Sequence, residues 1–272
     1  MMKTSGAFTR LLAQNRKIFE AHGVDTSQKL PADRKEFLAQ RDQRLKRDAK
    51  QQQAMYDRQK AQVYQAYSLW PNEVPMHFTF SQWKPTLQQD QVLARKIGMQ
   101  ALGLARQLSQ KPFNVFMNGL PGVGKTSLAL AMLDAAKQQG LSTMFVSTTI
   151  LQTLYRESFN DETLQERLRN TVRAMKEVDV LVLDDFGTEG GSLKKLEYGS
   201  KVHSYMQQAM YEVANARFDD QHRRPRGHTI ITTNNFEEEL NQIYDPKVIS
   251  RLIPRQPEYR IGFNGMNDVR GV

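Results

Sequence analysis

The stretch Phe113–Ser127, FNVFMNGLPGVGKTS, constrains this chain more than any other, because it joins an apolar β-like run to a glycine-rich loop and a helix start. Gly119, Gly124, Lys125 and Thr126 satisfy G-x-x-x-x-G-K-[ST], the pattern whose backbone N–H groups cradle phosphates. Glycines permit backbone geometries and a close approach that a Cβ would block, the lysine can reach β- and γ-phosphates, and the threonine hydroxyl can ligate Mg²⁺. The candidate nucleotide-binding residues are therefore Gly119, Leu120, Pro121, Gly122, Val123, Gly124, Lys125, Thr126 and Ser127. A helix expected over Thr126–Gly140 would add the positive end of its dipole to the same loop.

Two further runs fit the same sheet. Val178–Leu183 is unbroken and apolar, as in strands buried on both faces of a parallel sheet, and it ends in Asp184 and Asp185. Acidic residues at the C-terminal end of such a strand lie where open α/β sheets bind ligands. Asp184, with Thr126, is the candidate Mg²⁺ ligand, and Asp185 the candidate that polarises an attacking water. Thr229–Thr233 is β-rich and ends in Asn234 and Asn235, whose amides could orient that water or could simply form a turn.

The rest of the chain reads as helices around these strands. Phe8, Leu11, Leu12 and Phe19 share one face of a short helix over Ala7–His22, and a long helix rich in Gln, Arg and Lys is expected from Ala32 to about Leu69. Its apolar residues Leu38, Leu45, Tyr56, Val63 and Tyr67 are too sparse for a core of their own, so it needs a partner. Pro71, Pro75 and Pro85 mark a linker over 71–87 that Phe78, Phe80 and Trp83 should dock onto the following domain. Helices are expected over Gln88–Gln110, Leu151–Phe159, Glu162–Met175 and Tyr198–Phe218, and a short strand over Thr143–Val146.

Charge is uneven. Residues 1–70 hold 14 Lys/Arg and 7 Asp/Glu, so this quarter carries most of the net +9. A basic arm on a nearly balanced domain fits a polyanion or an acidic partner, with a solvated basic helix as the plain alternative. The absence of cysteine excludes disulfides and thiolate zinc sites, and the five histidines show no ligand spacing. No run approaches a membrane span, and MMKTSGAFTR lacks the apolar core of a signal peptide, so no membrane partner and a cytoplasmic location are expected.

GLPGVGKT, VLVLDD, ITTNN and VISRL occur in the order of the Walker A, Walker B, sensor 1 and arginine-finger segments of AAA+ ATPases. More narrowly, the chain resembles DnaC-type replicative helicase loaders, a likeness that extends to FTFSQW and NARFDDQHRRP. The resemblance implies an α/β fold: an AAA+ P-loop domain over 88–272, a parallel sheet flanked by helices, no C-terminal lid in the short stretch after Asn235, and a small helical, helicase-binding domain over 1–70. It implies ATP and Mg²⁺ as cofactors. Asp185, standing where most AAA+ proteins have glutamate, Asn235 as the better sensor 1 match with Asn234 second, and Arg251 as the finger reaching a neighbour's γ-phosphate form the implied catalytic set. Arg217 is a weaker candidate for that interface.

The implied partners are a DnaB-type hexameric helicase, single-stranded DNA and further copies of the chain in an open ring or spiral. Tyr155, Arg156, Arg167, Arg169 and Arg173, and the loop Arg223, Arg224 and Arg226, are candidate DNA contacts, since basic residues track phosphates and aromatics stack on bases. A transposition-helper ATPase of the IstB type shares the core and motif order and is the main alternative. A small-molecule P-loop kinase and a non-catalytic, ATP-shaped scaffold are the other two.

Overall fold

The computed structural model describes residues 34–188 and 204–271. By contacts the chain divides into a unit of residues 1–57 and a larger one of residues 58–272. The helix expected over Ala7–His22 lies outside the described residues. Helix α1 runs over Arg34–Ala66, and Leu45, Met55 and Val63 on it are exposed.

The larger unit is built on five parallel strands: β1 (Val115–Asn118), β2 (Thr143–Ser147), β3 (Val180–Asp184), β6 (His228–Thr233) and β7 (Arg260–Gly262). Their order across the sheet is β2-β3-β6-β1-β7. A short antiparallel pair, β4 (Phe218–Asp219) and β5 (Arg224–Pro225), stands apart from it. Side chains alternate along each strand and so separate two cores. Phe116, Met144, Val146, Leu181, Leu183 and Ile231 face one, and Val115, Met117, Phe145, Val180, Val182, Ile230 and Ile261 face the other.

Helices cover both faces, as buried parallel strands require. Helices α2 (Gln91–Ala105) and α3 (Lys125–Gln138) bury Ile97, Leu104, Leu128 and Met132 in the second core. On the other face lie α4 (Thr148–Glu157), α5 (Glu162–Glu177), α6 (Ser204–Ala216), α7 (Glu237–Ile243) and α8 (Pro246–Leu252). They contribute Leu151, Met175, Met210, Leu240 and Ile249 to the first core. This is the α/β sheet flanked by helices that the sequence implied, and among the described residues no helical bundle follows β7.

The entry to the sheet is tied down closely. The Tyr64 hydroxyl donates to Glu177 at 2.8 Å, Leu69 pairs with β2 through its backbone, and the Trp70 ring stacks on Phe145 at 4.4 Å. The contact division falls after residue 57, ahead of the linker that Pro71, Pro75 and Pro85 mark over 71–87. Phe78, Phe80 and Trp83 pack on the second core as expected, and the indole N–H of Trp83 donates to the Ala94 carbonyl at 3.0 Å. Trp83 lies so close to α2 that a Cβ at Gly98 would meet its ring nitrogen at 2.6 Å.

That contact reverses an ordinary preference. In a helix interior alanine is favoured over glycine by about 1 kcal/mol. At Gly103 on the same helix a methyl group would have nothing within 4 Å, so Gly103→Ala should stabilise the protein by up to about 1 kcal/mol. Gly98→Ala should instead cost about 1–3 kcal/mol, because Trp83 is fixed by its hydrogen bond and cannot yield freely. Urea unfolding of the two variants should move the midpoint in opposite directions.

Candidate functional site

The loop between β1 and α3 owes its shape to three glycines in conformations that disfavour a side chain. Gly119, Gly122 and Gly124 have φ of 152°, 77° and 99°. All three also admit close neighbours, with Phe263 against Gly119, the Asp268 carboxylate against Gly122 and the Trp83 ring against Gly124. The helix α3 begins directly after Gly124, so the loop ends on its positive pole.

Lys125 is buried, and its ammonium donates to the carbonyls of Gly119 and Leu120 at 2.8 and 2.7 Å and to Asn234 Oδ1 at 2.8 Å. Burial lowers its pKa, against the pull of Asp185 and Asp184. The tip of β3 meets the loop through a hydroxyl. Thr126 Oγ1 donates to Asp184 Oδ1 at 2.8 Å, and Thr232 Oγ1 donates to the same oxygen at 2.6 Å. Burial pushes the Asp184 carboxyl up to about 6, with the Thr232 hydroxyl opposing the rise.

Asp185 takes a left-handed backbone, φ 56°, in which its N–H donates to Thr232 Oγ1 at 3.1 Å. Aspartate tolerates this conformation better than most residues, yet it is strained backbone at the point where the strand reaches the phosphate loop. The Thr148 hydroxyl, at the start of α4, donates to the Asp184 and Asp185 carbonyls at 3.2 and 3.1 Å. Thr126, Lys125, Asp184 and Asp185 are therefore brought together, as the sequence suggested. Thr232 and Thr148 were not singled out there, although Thr232 lies in the ITTNN run that drew attention to its neighbours.

The asparagine pair is divided. Asn234 touches the loop lysine, whereas Asn235 bonds through its backbone N–H to Thr233 Oγ1 at 3.0 Å and sets its side chain against Gly187. Arg251 is farther off. Its carbonyl accepts from Asn114 at the start of β1, the end of that strand opposite the phosphate loop. Its guanidinium donates to Asp220 at 3.1 Å and lies 5.9 Å from the Phe218 ring centroid.

Arg217 has no surface role. It is buried, and it donates to the carbonyls of Met175 (3.0 Å), Val178 (2.7 Å), Asp179 (3.3 Å) and His228 (2.7 Å) and to Thr229 Oγ1 (3.0 Å). This corrects the expectation that it could serve a subunit interface. Tyr155 is likewise engaged internally: its ring stacks on Tyr205 at 5.1 Å, and burial pushes its hydroxyl pKa up to about 12. Arg156 and Arg169 are exposed, Arg167 and Arg173 lie beside Glu73 and Glu177, and Arg223, Arg224 and Arg226 are exposed around the β4–β5 turn.

With this geometry in hand, the family match is decisive: the family described as IstB-like ATP binding protein matches residues 57–253. The chain belongs to this family. Among solved structures, the IstB-like chain is similar to the crystal structure of the DnaI, at 20% identity over 74% of this chain and 96% of that one, with a TM-score of 0.50. A putative primosome component from Streptococcus pyogenes serotype M3 gives 16% identity, coverage of 68% and 85%, and a TM-score of 0.46. A DNA replication initiation factor gives 17% identity, coverage of 68% and 49%, and a TM-score of 0.49, so the IstB-like chain spans about half that protein's length. No curated protein matches it. At these identities the likeness to DnaI concerns the fold, an AAA+ P-loop arrangement. The family description names ATP as the ligand of its members.

The residues fit a hydrated Mg²⁺ accompanying ATP, since such an ion is held by one or two protein oxygens together with phosphates and water. Thr126 Oγ1 and Asp184 Oδ1 already converge at 2.8 Å. No helix among the described residues is long and apolar enough to cross a membrane.

The buried position of Arg217 leads to a direct test. Arg217→Leu removes the guanidinium from four carbonyls, of which Asp179 keeps the His228 N–H, and should cost about 3 kcal/mol of stability. Chemical denaturation should show this loss.

Proposed function

We propose that the chain is an ATP-dependent loader that places a DnaB-type hexameric helicase on single-stranded DNA, with ATP binding and hydrolysis timing assembly and release. The observation that carries the ATP-driven part is the convergence of Lys125, Thr126, Asp184 and Asn234 on one loop while Arg251 sits at the opposite end of β1. An arginine so placed cannot serve its own loop, and it suits the loop of a neighbouring copy in an open ring or spiral.

The chemistry divides among these residues. Lys125 exchanges its carbonyl and Asn234 partners for phosphate oxygens, a charge-assisted contact stronger than those it leaves. Thr126 and Asp184 are the residues that hold Mg²⁺, which supplies charge neutralisation at the phosphates when bound. Asp185 accepts a proton from the attacking water, and its side chain, shorter than glutamate, suits slow, switch-like hydrolysis. Asn234, rather than Asn235, orients that water, because it is the amide already in contact with the loop. Arg251 must leave Asp220 to act in trans. The Asp220 side chain is 71% exposed but that of Arg251 only 18%, so release must free the guanidinium from the Phe218 ring as well as from the carboxylate.

Residues 1–70 are the proposed helicase-binding arm, supported by their excess of basic residues. Arg156, Arg169 and the Arg223–Arg226 turn are the proposed DNA contacts, and the cytoplasm is the proposed compartment. The family match favours a second reading, a transposition helper acting with a transposase. Pull-down of the full chain with a replicative helicase and with a transposase separates the two.

Two substitutions test the catalytic assignments. Arg251→Ala should lower DNA-stimulated ATP hydrolysis at least about 100-fold, while nucleotide affinity stays within about twofold of wild type. Equal loss of both would count against action in trans. Asn234→Ala should reduce turnover by about 100-fold and Asn235→Ala by much less, read from steady-state phosphate release.

A further inference from the structure

Beyond β7 the chain turns back across the phosphate loop. The Phe263 N–H donates to the Asn118 carbonyl at 2.8 Å, and Met266 is buried in the same core as α2 and α3. Gln88 then grips the backbone of Asn267 from both sides, donating to its carbonyl at 2.8 Å and accepting from its N–H at 2.7 Å. Val269 N–H reaches the Gly122 carbonyl at 3.2 Å. The Asp268 carboxylate lies so close on Gly122 that a Cβ there would overlap it.

One guanidinium is delivered by this route. Arg270 donates to Asp268 through its backbone N–H at 2.9 Å and through its side chain at 3.1 and 2.6 Å. It also lies near enough to feel the charge of Asp185, and Lys125 feels its charge in turn. The segment falls after residue 253, where the family match ends, so nothing in that match assigns it.

We propose that Arg270 is a phosphate ligand for the nucleotide, supplied in cis by residues 263–270, and that Asp268 competes with the nucleotide for it. The proposal rests on the reading of the loop as an ATP site. The Asp268–Arg270 pair is exposed on both sides, 48% and 68%, and such pairs are weak. A triphosphate on the loop carries more charge than a carboxylate and offers the guanidinium a bidentate partner. The same phosphates repel Asp268 from Gly122. Anchored by Gln88 and Met266, the segment keeps the arginine within reach while its carboxylate partner moves aside.

The test is a titration of the full-length chain with a fluorescent ATP analogue and Mg²⁺. Arg270→Ala should weaken binding about tenfold, the usual size of one lost charged hydrogen-bonding partner. Asp268→Asn should tighten it several-fold, and should tighten it clearly less in the Arg270→Ala background, where only the direct repulsion of the phosphates by Asp268 is relieved; an equal gain in both backgrounds would overturn the competition. Adenosine, lacking phosphates, should bind all of them equally. If Lys125→Ala abolishes binding while Arg270→Ala binds like wild type, the proposal is overturned and the ATP site stands. If Lys125→Ala binds the analogue as well as wild type, the assignment of the loop fails, and the proposal with it.

Discussion

The structure turns on one carboxylate that two hydroxyls hold in a buried place. Asp184 receives Thr126 from the phosphate loop and Thr232 from β6, so a single oxygen joins three segments that the chain supplies separately. Burial alone would favour the neutral acid, as its elevated pKa shows. The two hydroxyls oppose that tendency and keep the carboxylate suited to a cation. A buried carboxylate kept in place by neighbouring hydroxyls is a common signature of positions kept for function.

How much of this could be read from residues alone depended on how strongly local chemistry dictates structure. The phosphate loop and β3 were legible because glycine spacing and an unbroken apolar run each have few structural solutions. The short edge strand β7 was not anticipated, since Arg260, Ile261 and Gly262 carry no β pattern and are strand only because β1 offers them an open edge. Arg217 misled for a related reason: a charged residue beside a polar loop reads as surface until the backbone carbonyls at the N-terminal ends of β3 and β6 are seen to surround it. The preference for Asn235 over Asn234 failed to anticipate the contact with Lys125, because neighbouring residues at a strand tip point in different directions and a motif does not record which. Asp268 and Arg270 lie in an exposed polar stretch without periodicity, so only tertiary contacts bring them to the loop.

The charges sort themselves along the strands. Lys125, Asp184, Asp185 and Arg270 gather at the C-terminal ends, while Arg251 and Asp220 lie toward the opposite side with Asn114. A parallel sheet makes this separation natural, because all its strand tips of one polarity fall on one side. One side carries the phosphate loop while the other carries Arg251.

The strand carrying the phosphate loop has both its neighbours far downstream. Phe113 and His228, at the foot of β1 and β6, meet across 115 residues, and β7 comes later still. On a ribosome, then, the loop emerges long before anything can flank it. Until Ile230 and Ile261 arrive, the apolar strand that carries the loop lacks both of the strands that flank it in the finished sheet.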